Sequence, residues 1–194
     1  MANQDRLDAS AELALVEQCR RQNFEAFGKI VDAYQARVTG FVRRMVQSGE
    51  EAEDITQEVF IRAFQGMGRF DGRSSLRTWL FRIAYNLCVD ASRKRTRSAQ
   101  ELSLEDGETS ETLEVSDGRW NPETVVLDDE LMSVVERAVG TLSEKLRTVL
   151  LLHDKEELGY DELAGMLGIP VGTVKSRLFL ARAHVQKAVE EYRS

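Results

Sequence analysis

Little in this sequence could staple a fold, cross a bilayer or run a catalytic reaction. Two cysteines, two prolines and two histidines occur in 194 residues. Cys19 and Cys88 have no partner at metal-ligand spacing and sit beside apolar neighbours in helix-patterned sequence, so they are expected to be reduced packing residues. His153 and His184 stand far apart with no cysteine or carboxylate at ligand or triad spacing, and no glycine loop shaped for phosphate occurs. Neither an enzyme nor a cofactor is expected. No run of about 18 apolar residues is present to span a bilayer, and MANQDRLDAS has no apolar signal core, so membrane insertion is not expected and the chain should stay in the cytoplasm. Aromatics make up 7% of the chain. With scarce proline and apolar residues that are periodic rather than continuous, the sequence is expected to be all-α.

Hydrophobic residues, 42% of the chain, suffice for buried cores in one domain or two small ones. Net charge is −7, but it is unevenly spread. Residues 98–130 hold eleven acids and one base, Arg119, so the remainder is net positive. That segment, SAQELSLEDGETSETLEVSDGRWNPE and beyond, is rich in Ser, Thr, Gly and Glu without a sustained apolar period. Such composition buries too little surface to offset the entropy of ordering. The expected organisation is two small helical domains, 1–97 and 131–194, joined by a flexible acidic linker over 98–130.

In the first domain, Phe24, Phe27, Val31, Tyr34, Val38, Phe41 and Met45 alternate steps of three and four, predicting a long amphipathic helix with Asn23 as its N-cap. After SGEE, the segment EEAEDITQEVFIRAF places Ala52, Ile55, Val59 and Ala63 on one face. Glu51, Asp54, Gln57 and Glu58 lie on the other. This acceptor-rich strip suits a solvated helix surface, its early acids favoured by the helix dipole, and equally a docking face for a basic partner. A glycine-punctuated loop, residues 66–75, leads to SLRTWLFRIAYNLCVDASRKRTR. There Leu76, Leu80, Ile83, Leu87 and Ala91 are the expected core, with Trp79 beside them and Arg77, Thr78, Arg82, Asn86 and Val89 outward. Residues 72–97 carry seven bases and one acid, Asp90. That density can neutralise phosphates.

In the second domain, LMSVVERAVGTL and SEKLRTVLLLHDKEEL read as amphipathic helices with Leu142, Leu146, Val149 and Leu150 in the core. YDELAGMLGIPVGTVKSRLFLARA follows. Ala164, Gly168 and Val174 stand at positions five, nine and fifteen of a helix-turn-helix spanning about 160–180. The alanine permits close approach, the glycine supplies positive φ at the turn, and the valine plugs the angle. Pro170 fixes the start of the second helix. Val174, Leu178, Ala181 and Val185 then face inward. Thr173, Ser176, Arg177 and Leu180 face outward, with Lys175, Phe179 and Arg182 at the edges, a set able to read major-groove edges and hold phosphates.

The blocks EDITQEVFIRAF, RTWLFRIAYNLCVDASRK and LSEKLRTVLLL…LGYDELAGMLGIPVGTVKSRLFLARA, in this order around a variable linker, resemble the bacterial RNA polymerase sigma factors of the extracytoplasmic-function (ECF) group. The resemblance implies that residues 1–97 form sigma region 2 and residues 131–194 sigma region 4. It implies that Asp54, Gln57 and Glu58 dock on the clamp helices of the largest subunit of core RNA polymerase, with region 4 near the flap. Arg73, Ser75, Arg82, Asn86, Arg93 and Lys94 would engage promoter DNA at the minus-ten element, where a flipped base is captured and melting follows from differential binding without ATP. Thr173, Lys175, Ser176, Arg177, Phe179 and Arg182 would contact the minus-thirty-five element. Leu180 departs from the pattern, standing where many relatives carry a base. The linker would thread the polymerase near the RNA path, or act as a plain spacer. An anti-sigma factor is the implied regulator. The alternative is a helix-turn-helix DNA-binding regulator that acts through its C-terminal domain alone, without joining polymerase. A structural helical adaptor is a third reading.

Overall fold

The computed structural model describes residues 9–21, 23–46, 48–102 and 129–193. The described residues are helical with no strand, as expected, and divide into two units, Met1–Lys94 and Arg95–Ser194. In order along the chain lie α1 (Ala9–Arg20), α2 (Phe24–Val46), α3 (Gly49–Gly66), a 3₁₀ turn (Met67–Arg69) and α4 (Leu76–Leu102). Next come α5 (Asp129–Thr141), α6 (Glu144–Leu150), a π turn (Leu151–Lys155), α7 (Tyr160–Leu167) and α8 (Val171–Arg193). Helix α4 thus runs to Leu102, past the expected linker start at 98, and α5 begins at Asp129. The linker expectation for 103–128 lies outside the described residues.

In the first unit α2 is central, packing against α1 and α3. Asn23 caps it as predicted: its Oδ1 accepts from the amides of Glu25 at 3.0 Å and Ala26 at 3.1 Å. The buried stripe of α2 differs from the expected one. Tyr34, Val38, Phe41 and Met45 are buried, joined by Ala26, Ile30, Val42 and Val46, whereas Phe24 is 71% exposed and Val31 only half-buried. The cause is geometric. A strict three-four repeat drifts about 20° per heptad against a straight helix, so a stripe true at Met45 has rotated off the core by Phe24. The stranded aromatics meet α3 instead: Phe24 stacks on Phe64 at 5.1 Å and Phe27 meets it edge-on at 5.1 Å.

Helix α3 buries Ala52, Ile55, Val59 and Ala63 as its pattern requires. On α4 the core face is turned relative to expectation. Leu76, Leu80 and Leu87 are buried, but so are Phe81, Ala84 and Cys88, while Ile83 and Ala91 are half-buried. Thr78, expected outward, is 1% exposed. Its hydroxyl lies 2.8 Å from that of Ser75, which explains how a polar side chain is buried without loss of a partner. Phe81 meets Phe41 edge-on at 5.5 Å, tying α4 to α2. Trp79 is half-buried against Phe70, with ring centroids 5.1 Å apart. Cys19 and Cys88 are both buried and in no disulfide, and burial pushes the Cys19 thiol pKa up.

In the second unit α8 packs against α5, α6 and α7. Leu142, Val149 and Leu150 are buried, and Leu146 is half-buried. Gly168 closes α7 with φ +65°, the conformation that a side chain would strain, and the amide of Ile169 returns to the Ala164 carbonyl at 3.2 Å. Helices α7 and α8 then meet at 105°, within the range of a DNA-binding helix-turn-helix. Val174, 0% exposed, fills the angle.

Candidate nucleic-acid and partner interfaces

The acidic strip of α3 is positioned by the burial of its opposite face. Asp54 and Gln57 are exposed, and Glu58 accepts from Arg62 Nε at 2.6 Å one turn on. The exposed Ile61, 50% accessible, continues the same stripe at i+3 from Glu58. On the neighbouring helix Arg43 reaches Glu53 at 3.1 Å. These surface pairs are worth little in stability. The strip as a whole presents carboxylates and an amide, flanked by an apolar group, to whatever approaches it.

Helix α4 begins behind a cap. Ser75 Oγ accepts from the Thr78 amide at 3.1 Å, and the Trp79 amide bonds the Ser75 carbonyl at 3.0 Å. Ser75 therefore spends one acceptor site on its own helix. Arg73, in the loop ahead, pairs with Asp71 at 3.0 Å while its side chain stays 90% exposed. Gly72 has φ +74° at this bend. Arg82, Asn86 and Arg93, spaced by four and seven, form one exposed stripe of α4, and Lys94 is exposed beside it. Arg93 lies 3.9 Å from Asp90, a loose contact that leaves most of its donors to solvent. Loop and helix thus bring the six expected minus-ten residues to the start and the exposed side of one element.

On α8, Val174, Leu178 and Ala181 are buried and Val185 is half-buried. Opposite them Ser176 is exposed, Phe179 is 41% exposed, and Thr173, Arg177 and Leu180 are half-buried. Ser176 Oγ donates back to the Thr173 carbonyl at 3.1 Å. Two of the edge residues are engaged by the protein itself. Lys175 Nζ sits 5.4 Å from the centroid of the Tyr160 ring, and Arg182 forks onto Asp154. Periodicity could not reveal Asp154, which lies 28 residues from Arg182 in sequence. Another residue that sequence reading missed is Arg147, 8% exposed. Its Nε donates to the Val139 carbonyl at 3.1 Å and its Nη2 to those of Gly140 at 2.6 Å and Leu142 at 2.8 Å. Burial lowers its pKa from the ordinary value. His184 Nε2 lies 2.9 Å from Thr141 Oγ1, and His153 Nδ1 lies 2.8 Å from the Leu158 carbonyl, so both histidines hold local structure.

Comparison with known proteins follows the same division. A family model described as Sigma-70 region 2 matches residues 30–98, and one described as Sigma-70, region 4 matches residues 133–185. The chain is 37% identical over 178 residues to the RNA polymerase sigma-H factor of Pseudomonas aeruginosa, covering 91% of this chain and 92% of that protein. It is 36% identical over 182 residues to the ECF RNA polymerase sigma-E factor of Escherichia coli K12, covering 91% and 93%. Among solved structures, CnrH in complex with the cytosolic domain of CnrY matches with a TM-score of 0.66 at 24% identity, covering 93% of this chain and 98% of that one, a likeness of fold. The sigma factor RpoE of Bartonella quintana, in complex with the anti-sigma factor NepR, matches with a TM-score of 0.65 at 25% identity, covering 84% and 96%. With both regions matched in order and full-length relatives above one third identity, the chain belongs to the ECF sigma factors of bacterial RNA polymerase, promoter-directing transcription initiation factors.

Proposed function

We propose that this chain joins core RNA polymerase through the α3 strip and brings it to promoters through α4 and α8. The observation that carries the reading is the separation of opposite charge on one chain: exposed Asp54 and Gln57 with half-buried Glu58 on α3, and exposed Arg82, Asn86, Arg93 and Lys94 on α4 with exposed Lys175 and half-buried Arg177 on α8. Carboxylates on a rigid helix suit arginine forks of a basic partner, here the clamp helices of the largest polymerase subunit. Arg73, Arg82, Asn86, Arg93 and Lys94 suit the minus-ten element, where an extruded base is available only in open DNA. Binding that base shifts the equilibrium toward melting. Thr173, Ser176, Arg177 and Phe179, with Lys175 at the edge, suit the major groove of the minus-thirty-five element while region 4 rests near the flap. The acidic segment between α4 and α5 acts as a tether, and its charge suits a channel built for nucleic acid. The sigma factor RpoE of Bartonella quintana was solved with the anti-sigma factor NepR; an anti-sigma protein is accordingly the proposed regulator, acting in the cytoplasm. Among the described residues no single helix is long and apolar enough to cross a membrane.

The test is direct. Replacing Asp54 and Glu58 together by Lys is expected to abolish co-elution with core polymerase and leave the helical circular dichroism spectrum unchanged. Run-off transcription from a genomic fragment pool, with core enzyme and the unaltered chain, should yield a discrete set of start sites. Unchanged co-elution of the double variant sinks the docking assignment. Specific duplex binding without core association favours a simple regulator.

A further inference from the structure

Arg182 belongs by its spacing with the residues expected at upstream DNA, yet it is turned onto its own domain. Its Nε donates to Asp154 Oδ2 at 3.1 Å and its Nη2 to Asp154 Oδ1 at 2.5 Å, a two-pronged fork that occupies both carboxylate oxygens. The Arg182 side chain is 30% exposed and that of Asp154 21%, and the pair lies at the surface of its unit, partly open to solvent. The Asp154 hydrogen bond raises the guanidinium pKa above its ordinary value, against the opposing effect of burial. Lys175 lies two turns earlier on the same flank of α8, over the ring of Tyr160. Tyr160 stacks on His153 at 4.7 Å. Because a carbonyl can only accept, His153 donates from Nδ1 to the Leu158 oxygen. A continuous set of contacts therefore joins α8 to the turn that contains Asp154 and to the first residue of α7.

We propose that Arg182 is a positioning residue: its fork to Asp154 fixes the rotation of α8 about its own axis, and so decides how Ser176, Arg177 and Phe179 meet base edges. Arg182 itself stays on the protein. The inference rests on the reading of α8 as a DNA-recognition helix. It follows from what a phosphate contact would require. Moving the guanidinium to DNA breaks two charge-assisted hydrogen bonds and leaves the Asp154 carboxylate without that partner, facing a polyanion. Keeping the fork costs nothing of the kind and restrains the helix from the side opposite Thr173 and Arg177.

The two roles give opposite signs for one substitution. If Arg182 gripped phosphate, Asp154→Asn would free it, strengthen promoter binding and steepen the salt dependence by about one unit of log–log slope. If Arg182 positions α8, the same substitution weakens binding about threefold or more at unchanged slope, within the range for coupled neighbours. The probe is a promoter fragment recovered by run-off transcription from a genomic pool, titrated with polymerase carrying the full chain at several salt concentrations. Arg182→Glu alone should weaken binding. The charge swap, Arg182→Glu with Asp154→Arg, should recover most of that loss, because the pair re-forms with reversed polarity and no positive charge at 182. Tighter binding by the Asp154→Asn chain, or a swap no better than Arg182→Glu alone, overturns the inference. Circular dichroism of each variant separates misfolding from misplacement, and a swap that fails to fold also counts against it. Recovery of no fragment sinks the DNA reading, and this inference with it. Recovery with a failed swap sinks this inference only.

Discussion

Arg147 illustrates how a charged side chain can close a small domain. Helix α5 ends at Thr141, where its last carbonyls lack intrahelical donors. Arg147 enters from α6 and donates to three oxygens, those of Val139, Gly140 and Leu142, so the cost of burying a cation is offset by a helix C-terminus of negative polarity. Replacing Arg147 by Met keeps the bulk and removes the donors. The expected result is a loss of about 2 to 4 kcal/mol, since the carbonyls of Gly140 and Leu142 lose a charged donor while that of Val139 keeps the Leu142 amide at 3.3 Å. Urea denaturation followed by circular dichroism checks it: the midpoint should fall with little change in slope. Lys at this position offers one compact ammonium instead of a planar fork and should recover only part of the loss.

Helices show where pattern reading succeeds and where it slips. The element types, the Asn23 cap and the turn at Gly168 were legible because each depends on local chemistry: an amide oxygen ahead of a helix, or a glycine where φ must be positive. The buried faces of α2 and α4 were legible only in part. A repeat of 3.5 drifts on a helix of 3.6 residues per turn, and Thr78 gains its burial from a hydroxyl partner three residues back. Within the candidate interfaces Asp54 and Gln57 on α3 and Arg82 and Asn86 on α4 could be named as outward from spacing, whereas Thr78 could not. The pairing of Arg182 could not, because its partner is a tertiary neighbour. Arg177 tests the recognition face. It lies on the opposite flank of α8 from the Arg182 fork, and half-burial holds its stem against the domain. Arg177→Ala is expected to weaken binding to the upstream promoter element by about 1–3 kcal/mol if its guanidinium reads a base. Titration against the promoter and against a scrambled duplex checks this: the loss should be concentrated on the promoter.

The distribution of charge across the chain makes a last prediction. A protein with 33 acids and 26 bases should shun DNA, yet eleven of those acids lie in residues 98–130 and the two helices proposed to meet nucleic acid, α4 and α8, are basic. At physiological salt, fields decay over about 8 Å, so the acidic segment lowers DNA affinity only if it passes within that distance of α4 or α8. Such an arrangement would hold the uncomplexed factor off random duplex, and insertion of the segment into a basic channel of polymerase would remove the repulsion. Changing the eleven acids to Asn and Gln turns the net charge from −7 to positive. The expected outcome is tighter binding of the isolated chain to a scrambled duplex, with a gain that shrinks as salt rises, while co-elution with core polymerase persists through the untouched α3 strip. Fluorescence anisotropy at low and high salt measures the first effect and gel filtration the second. Equal affinity of the two chains at low salt would show that the segment is a spacer whose charge never reaches α4 or α8.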